Sequence, residues 1–174
     1  MKKASISEAI NRKYPEWIFM LVTKAKDGRV NAMPAGWCMF TSMNPTMLAV
    51  SVGLKRYTHG VLQDSDSFVL TYPSEVQKEA VLFCGANSGS RVDKLAETDL
   101  TTTPASKVDV PLIEESVACF ECEKRGMLKS GDHRIFTGEV LAAHVSESPR
   151  KKIYNTGNWP KRGLESLRTL EEAV

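Results

Sequence analysis

Residues 17–40 read "WIFMLVTKAKDGRVNAMPAGWCMF", and the way this stretch bends decides the fold. The apolar run over 17–24 ends in "AKDGR", where Asp27-Gly28 is the dipeptide that closes a tight β-hairpin, and "VNAMPAGWCMF" follows as its second strand. Pro34 and Gly36 interrupt that strand. Proline has no N–H for a ladder and glycine no side chain to pack, so a kink or bulge is predicted there, with backbone donors left free to meet a ligand.

The neighbouring segments extend the same pattern. "TMLAVSVG" (46–53) predicts a strand that stops at Gly53, and "LKRYTHG" leads into a short helix beginning at His59 with Thr58 as its cap. "SFVLTYP" (67–73) is a further strand closed by Pro73, and "SEVQKEAVLFCG" carries helical spacing with Ser74 as a candidate cap. After a connection bearing threonines and prolines, "VACFECEKRGML" and "RIFTGEVLAAHV" pair around "KSGDH" as a second hairpin. "LESLRTLEEAV" places Leu164, Leu167 and Leu170 at three-residue steps, which predicts a C-terminal helix docked by its apolar face. Five or six strands, short helices between them and no β-α-β alternation make the chain mainly β, an antiparallel barrel with short helices capping it. Side chains fill a barrel of this size, so ligand sites are expected at strand ends, kinks and capping loops.

At 174 residues the chain is expected to form one domain that buries roughly 70% of its unfolded surface. A formal charge of +2 spread along the chain offers no basic block for a nucleic-acid backbone. The opening "MKKASISEAINRKYPEW" lacks the apolar centre of a signal peptide, and no apolar run approaches the roughly 20 residues of a membrane span. A soluble, cytoplasmic protein with neither membrane nor nucleic-acid partner is therefore expected. The four cysteines suit a reducing compartment. Cys119 and Cys122 form a C-x-x-C, but Cys38, Cys84, His59, His133 and His144 supply no second tight pair, and strand alternation sends the two thiols to opposite faces. No metal site is expected.

Two loops carry the chemistry. In "SVGLKRYTHG", a strand ends at a glycine and is followed by Lys55, Arg56, an aromatic residue and a hydroxyl at a helix start, each of which suits a phosphate. The plainer reading is a solvated Lys-Arg pair beside a capping threonine. In "CGANSGSRVDK" (84–94), serines, Arg91 and Lys94 supply hydroxyl and cationic donors around two glycines, without the spacing of a P-loop or a dinucleotide crossover. Taken alone, that loop reads more simply as an ordinary helix-to-loop connection. Two such loops on one small barrel point to a phosphorylated cofactor.

The order "NAMPAGW", "PTMLAVSVGLKRYT", "CGANSGSRVDK", "GDHRIFTGEV" is similar to the flavin reductase-like family of FMN-binding split barrels, most of all to its flavoredoxin-like members. The resemblance covers residues 14 to about 146 of the single domain and leaves 147–174 as a C-terminal extension. It implies a split β-barrel homodimer that binds FMN and takes electrons from NAD(P)H. Met33, Pro34, Ala35, Gly36, Trp37 and Cys38 would meet the isoalloxazine ring, largely through backbone groups. Ser51 and Val52 would flank the ribityl chain, and Lys55, Arg56, Tyr57 and Thr58 would surround the phosphate. Ser88, Gly89, Arg91, Val92 and Lys94 would close the site as a clasp. Asp132 and His133 match an element near the nicotinamide donor, with an ordinary hairpin turn as the alternative. Trp37 and Trp159 are candidates to shield the flavin, or simply to pack. Two positions depart from the pattern: Gly36 stands where many relatives carry a hydroxyl, and Cys38 is unexpected beside the ring.

Three functions compete on this reading. The first is a reductase passing hydride from NAD(P)H to FMN and on to a flavin, ferric or protein acceptor. The second is an electron-carrier flavoprotein of the flavoredoxin type without direct NAD(P)H oxidation. The third is a non-catalytic barrel that holds an oligonucleotide or another phosphorylated ligand.

Overall fold

The computed structural model describes residues 1–157 and 167–169. A short helix α1 (Ile6–Asn11) begins the chain, capped by Ser5, whose hydroxyl accepts from the Glu8 N–H at 3.1 Å. The first strands are β1 (Glu16–Trp17), β2 (Phe19–Lys24), β3 (Val30–Ala35), β4 (Cys38–Met43) and β5 (Thr46–Gly53). Helix α2 (Tyr57–Asp64), β6 (Ser67–Tyr72), a 3₁₀ turn at Glu75–Gln77 and α3 (Lys78–Ala86) follow. The remaining elements are β7 (Thr102–Thr103), β8 (Leu112–Ile113), β9 (Ala118–Ser130), β10 (His133–Val145), β11 (Ile153–Asn155) and β12 (Leu167–Thr169).

Seven strands form one antiparallel sheet in the order β3-β2-β6-β9-β10-β5-β4. Its two edges, β3 and β4, are halves of the single stretch 30–43, joined through Gly36 and Trp37. The sheet therefore curls until its edges meet at the kink, as a split barrel. The Ser51 N–H donates to the Trp37 carbonyl at 2.9 Å and fixes that corner. The hairpin that enters it turns at Gly28, whose φ of +86° a side-chain-bearing residue rarely adopts.

The strand β2 is apolar on both faces because both are covered. Phe19 and Leu21 enter the barrel interior with Leu48, Val50, Val52, Phe68, Leu70, Cys122 and Phe136. Met20 and Val22 join Ala32, Val69, Val81, Cys84, Ile113 and Cys119 in an outer cluster, roofed by α3 and the segment around 100–113. Cys119 and Cys122 thus go to opposite faces, as alternation predicts. Ile153 of the C-terminal stretch is buried in the outer cluster, and β11 pairs with both β1 and β12.

The roof is fastened by Glu121 on β9, a fully buried carboxylate. It accepts from the Ser106 N–H (2.9 Å) and hydroxyl (2.8 Å), the Lys107 N–H (2.5 Å), the Val108 N–H (3.1 Å) and His144 Nε2 (2.6 Å). Burial alone would push this carboxyl up, but the donors around it outweigh burial and hold it at about 2.

Three sequence expectations are corrected. Helix α2 starts at Tyr57 rather than His59, with Arg56 at the cap position. Thr58 does not cap it, because its hydroxyl accepts from Asn31 Nδ2 at 2.9 Å. Leu167 to Thr169 are strand, pairing with Ile153 to Asn155, rather than part of a C-terminal helix. Leu164, Leu170 and Trp159 lie outside the described residues.

Candidate functional site

The barrel rim where β5 ends brings most of the expected residues together. Gly53 pairs with His133 across β5 and β10, and the Leu54 N–H donates to the Asp132 carbonyl at 3.0 Å. The "GDH" turn is thereby tied to the loop that carries Lys55 and Arg56. A Cβ on Gly53 would stand 3.5 Å from His133 Nε2 and 3.7 Å from Arg56 Cγ, so the two side chains flank one glycine. The His133 ring lies against Trp37 with centroids 4.9 Å apart, and its Nδ1 donates to Asp132 Oδ1 at 2.7 Å. That bond holds the ring so that Nε2 faces the Arg56 side of the rim.

The second loop closes from the end of α3. Both the Arg91 and Val92 N–H groups donate to the Ser88 carbonyl, at 3.0 and 3.1 Å, and the Ser88 and Ser90 hydroxyls share a bond of 2.9 Å. Gly89 is buried, and its carbonyl accepts from Arg29 Nη1 at 3.2 Å. Lys94 is turned inward: it is 3% exposed, and its Nζ donates to the Ala32 and Cys84 carbonyls at 2.8 Å each. Burial lowers its pKa, Cys84 opposes that, and the Arg56 guanidinium lowers it further. The field of Arg56 on Lys94 is the electrostatic mark of two cationic loops converging. Lys55, Arg56 and Arg91 are exposed and form no ion pair among the described residues, which leaves their charge available to an anion.

At the kink, Met33, Ala35 and Cys38 pack against the interior cluster. Gly36 has the Glu16 carboxylate where a side chain of its own would sit. Burial pushes the Cys38 thiol up to about 11, against a hydrogen bond with Tyr72 that works the other way. It is a packed, neutral thiol rather than a nucleophile. Beneath it run Trp17 on Tyr72 (4.2 Å), Tyr72 on Phe120 (6.1 Å) and Phe120 on Phe40 (5.6 Å).

Not every expected residue offers its side chain to this rim. Val52 points into the barrel interior, Thr58 is buried against Asn31, and Lys94 serves two carbonyls. Asn31, on β3 and absent from the sequence expectations, sits between both loops. Its one visible signal was an amide alternating with apolar residues in a strand.

The geometry has counterparts. Residues 11–162 match the model of a family described as flavin reductase like domain. An uncharacterized protein of Archaeoglobus fulgidus is 33% identical over 133 residues, 76% of this chain and 73% of that one. A second, from Pyrococcus abyssi, is 35% identical over 134 residues, 77% of this chain and 76% of its own length. Among solved structures, an FMN-binding protein from Thermus thermophilus with bound p-hydroxybenzaldehyde superposes with a TM-score of 0.79 at 27% identity, covering 91% of each chain. A flavoredoxin from Methanosarcina acetivorans gives 0.80 at 25% identity, covering 98% of this chain and 92% of that one. With the match spanning nearly the whole described fold, the protein belongs to the flavin reductase-like domain family.

Proposed function

We propose that this chain binds FMN at the β5 rim and is an oxidoreductase that draws electrons from NAD(P)H for a flavin, ferric or protein acceptor. The observation that carries this reading is the placement of His133, braced by Asp132 and Trp37, on the same rim as Lys55 and Arg56, which form no ion pair among the described residues. Bound FMN would supply the hydride acceptance and onward electron transfer. Arg56, Lys55 and the N–H groups opening α2 hold the phosphate, since a helix start presents free donors and arginine can bond two oxygens at once. The backbone of 33–38 lies along the ring, where edge-strand N–H groups face developing negative charge. Ser88, Gly89, Arg91, Val92 and Lys94 close the clasp.

His133 and Asp132 position the pyridine nucleotide. Replacing His133 with alanine removes one such contact, about 1 kcal/mol, and is expected to slow flavin reduction by NADH or NADPH roughly fivefold with FMN affinity intact. Stopped-flow absorbance measures this, and equal rates would return His133 to a purely structural turn. A homodimer across β4 is supported by the exposure of Met39 (62%) and Met43 (81%) on that edge strand.

The likeness to a flavoredoxin supports a second reading, an electron carrier reduced by a partner protein. Anaerobic mixing of the FMN-loaded protein with NADH and NADPH separates the two. Rapid bleaching of the flavin band is expected of the reductase, and its absence would leave the carrier. A purified protein that is colourless and takes up no FMN would exclude both.

A further inference from the structure

We propose that Asn31 is a positioning residue that couples the two halves of the phosphate clamp and thereby sets the preference for a phosphorylated flavin over an unphosphorylated one. The inference rests on the FMN reading above. Asn31 is 2% exposed, and its Nδ2 donates at 2.9 Å to the hydroxyl of Thr58, within the first turn of α2, two residues after Arg56. On its other side it meets Gly89 of the clasp: a Cβ at residue 89 would come 2.8 Å from Asn31 Cγ and 3.0 Å from Tyr57 Cδ1, closer than side chains tolerate. The glycine is there because the amide and the Tyr57 ring fill its side-chain space.

Asn31 Oδ1 is buried without a hydrogen-bond partner among the described residues. Buried acceptors are seldom left so, and the amide is held through its bond to Thr58 and its contact with Gly89. The strand around it fastens the clasp further, through Arg29 Nη1 to the Gly89 carbonyl and Lys94 Nζ to the Ala32 carbonyl. The short stretch from Arg29 into β3 thus sets the separation of Arg56 and the α2 N-terminus from the 88–94 loop. Only a ligand that reaches both loops senses that separation. The phosphate of FMN does so; riboflavin has the same ring and ribityl chain without it.

The test titrates apoprotein with FMN and, separately, with riboflavin, following flavin fluorescence for wild type, Asn31→Ala, Gly89→Ala and the double variant. Asn31→Ala is expected to weaken FMN binding about tenfold, the upper range of one neutral hydrogen bond, while riboflavin affinity stays within about twofold. Gly89→Ala should show the same selective loss, since its methyl pushes the clasp off Asn31 and Tyr57. The double variant should bind FMN no more weakly than the weaker single variant, because truncating Asn31 makes room for the methyl. Equal loss for both flavins, unchanged FMN affinity in Asn31→Ala, or losses that multiply in the double variant would overturn the coupling. If Asn31→Ala does not fold, the selectivity of Gly89→Ala decides the matter alone. A wild type that takes up neither flavin overturns the FMN reading and this inference together, whereas normal FMN binding by wild type and Asn31→Ala alike overturns only the coupling.

Discussion

Replacement of Glu121 with alanine is expected to cost about 3–5 kcal/mol of folding free energy, the range seen when one member of a buried, hydrogen-bonded charge arrangement is removed. Five donors converge on this carboxylate, three of them backbone N–H groups of the loop over 106–108. Without it these part-buried donors lose their shared acceptor, and the roof over the outer cluster loses its anchor. At roughly 2–4 °C per kcal/mol for a chain of this size, the midpoint of thermal unfolding should fall by roughly 6–20 °C. The effect depends on pH in a defined direction. The folded carboxyl sits at about 2, below its ordinary 4.5, so its stabilisation is complete above pH 4.5 and is lost as the pH falls towards 2. The gap between wild type and Glu121→Ala should accordingly be widest at neutral pH and narrow on acidification. Thermal melts at pH 7 and pH 3 followed by circular dichroism measure both, and coincident melts at pH 7 would show that the amide nest does not hold the roof.

Replacement of Arg56 with alanine is expected to weaken FMN binding by about 1.5–3 kcal/mol, the contribution of a hydrogen bond to a charged group, or roughly 10- to 150-fold in Kd. Arg56 occupies the N-cap position of α2, adjoins His133 across Gly53 and casts its field on buried Lys94, so it stands where the two loops and the hairpin turn meet. Being exposed, its contribution should shrink as salt rises, since charges at the surface are screened within about 8 Å at physiological ionic strength. Titration of the apoprotein with FMN at low and high salt is the measurement. An unchanged Kd would remove Arg56 from the phosphate site.

The parts of this structure legible in the sequence are those encoded by neighbours along the chain. Asp27-Gly28 names its own turn, and Pro34 with Gly36 announces an interruption, although the interruption proves to be the corner where the sheet closes on itself. The "GDH" turn and the Lys55-Arg56 pair were readable for the same reason, each being a short run with a local meaning. What the sequence hid depends on partners far away. Thr58 reads as a cap until Asn31, on a different strand, engages its hydroxyl. Lys94 reads as a solvent-facing loop cation, yet two carbonyls from β3 and α3 draw its ammonium inward. Glu121 carries no motif, since its donors lie on a distant loop and the next strand. Leu167 has helical spacing with its neighbours, but pairing with Asn155 makes it strand, a case of long-range pairing overriding local pattern.

The most direct test is a crystal structure of the protein soaked with FMN. It should place the phosphate within hydrogen-bond reach of Arg56 and the start of α2, with the ring along residues 33–38 and His133 at its margin. Flavin bound elsewhere, or crystals that take up none while these loops remain open to solvent, would contradict the account.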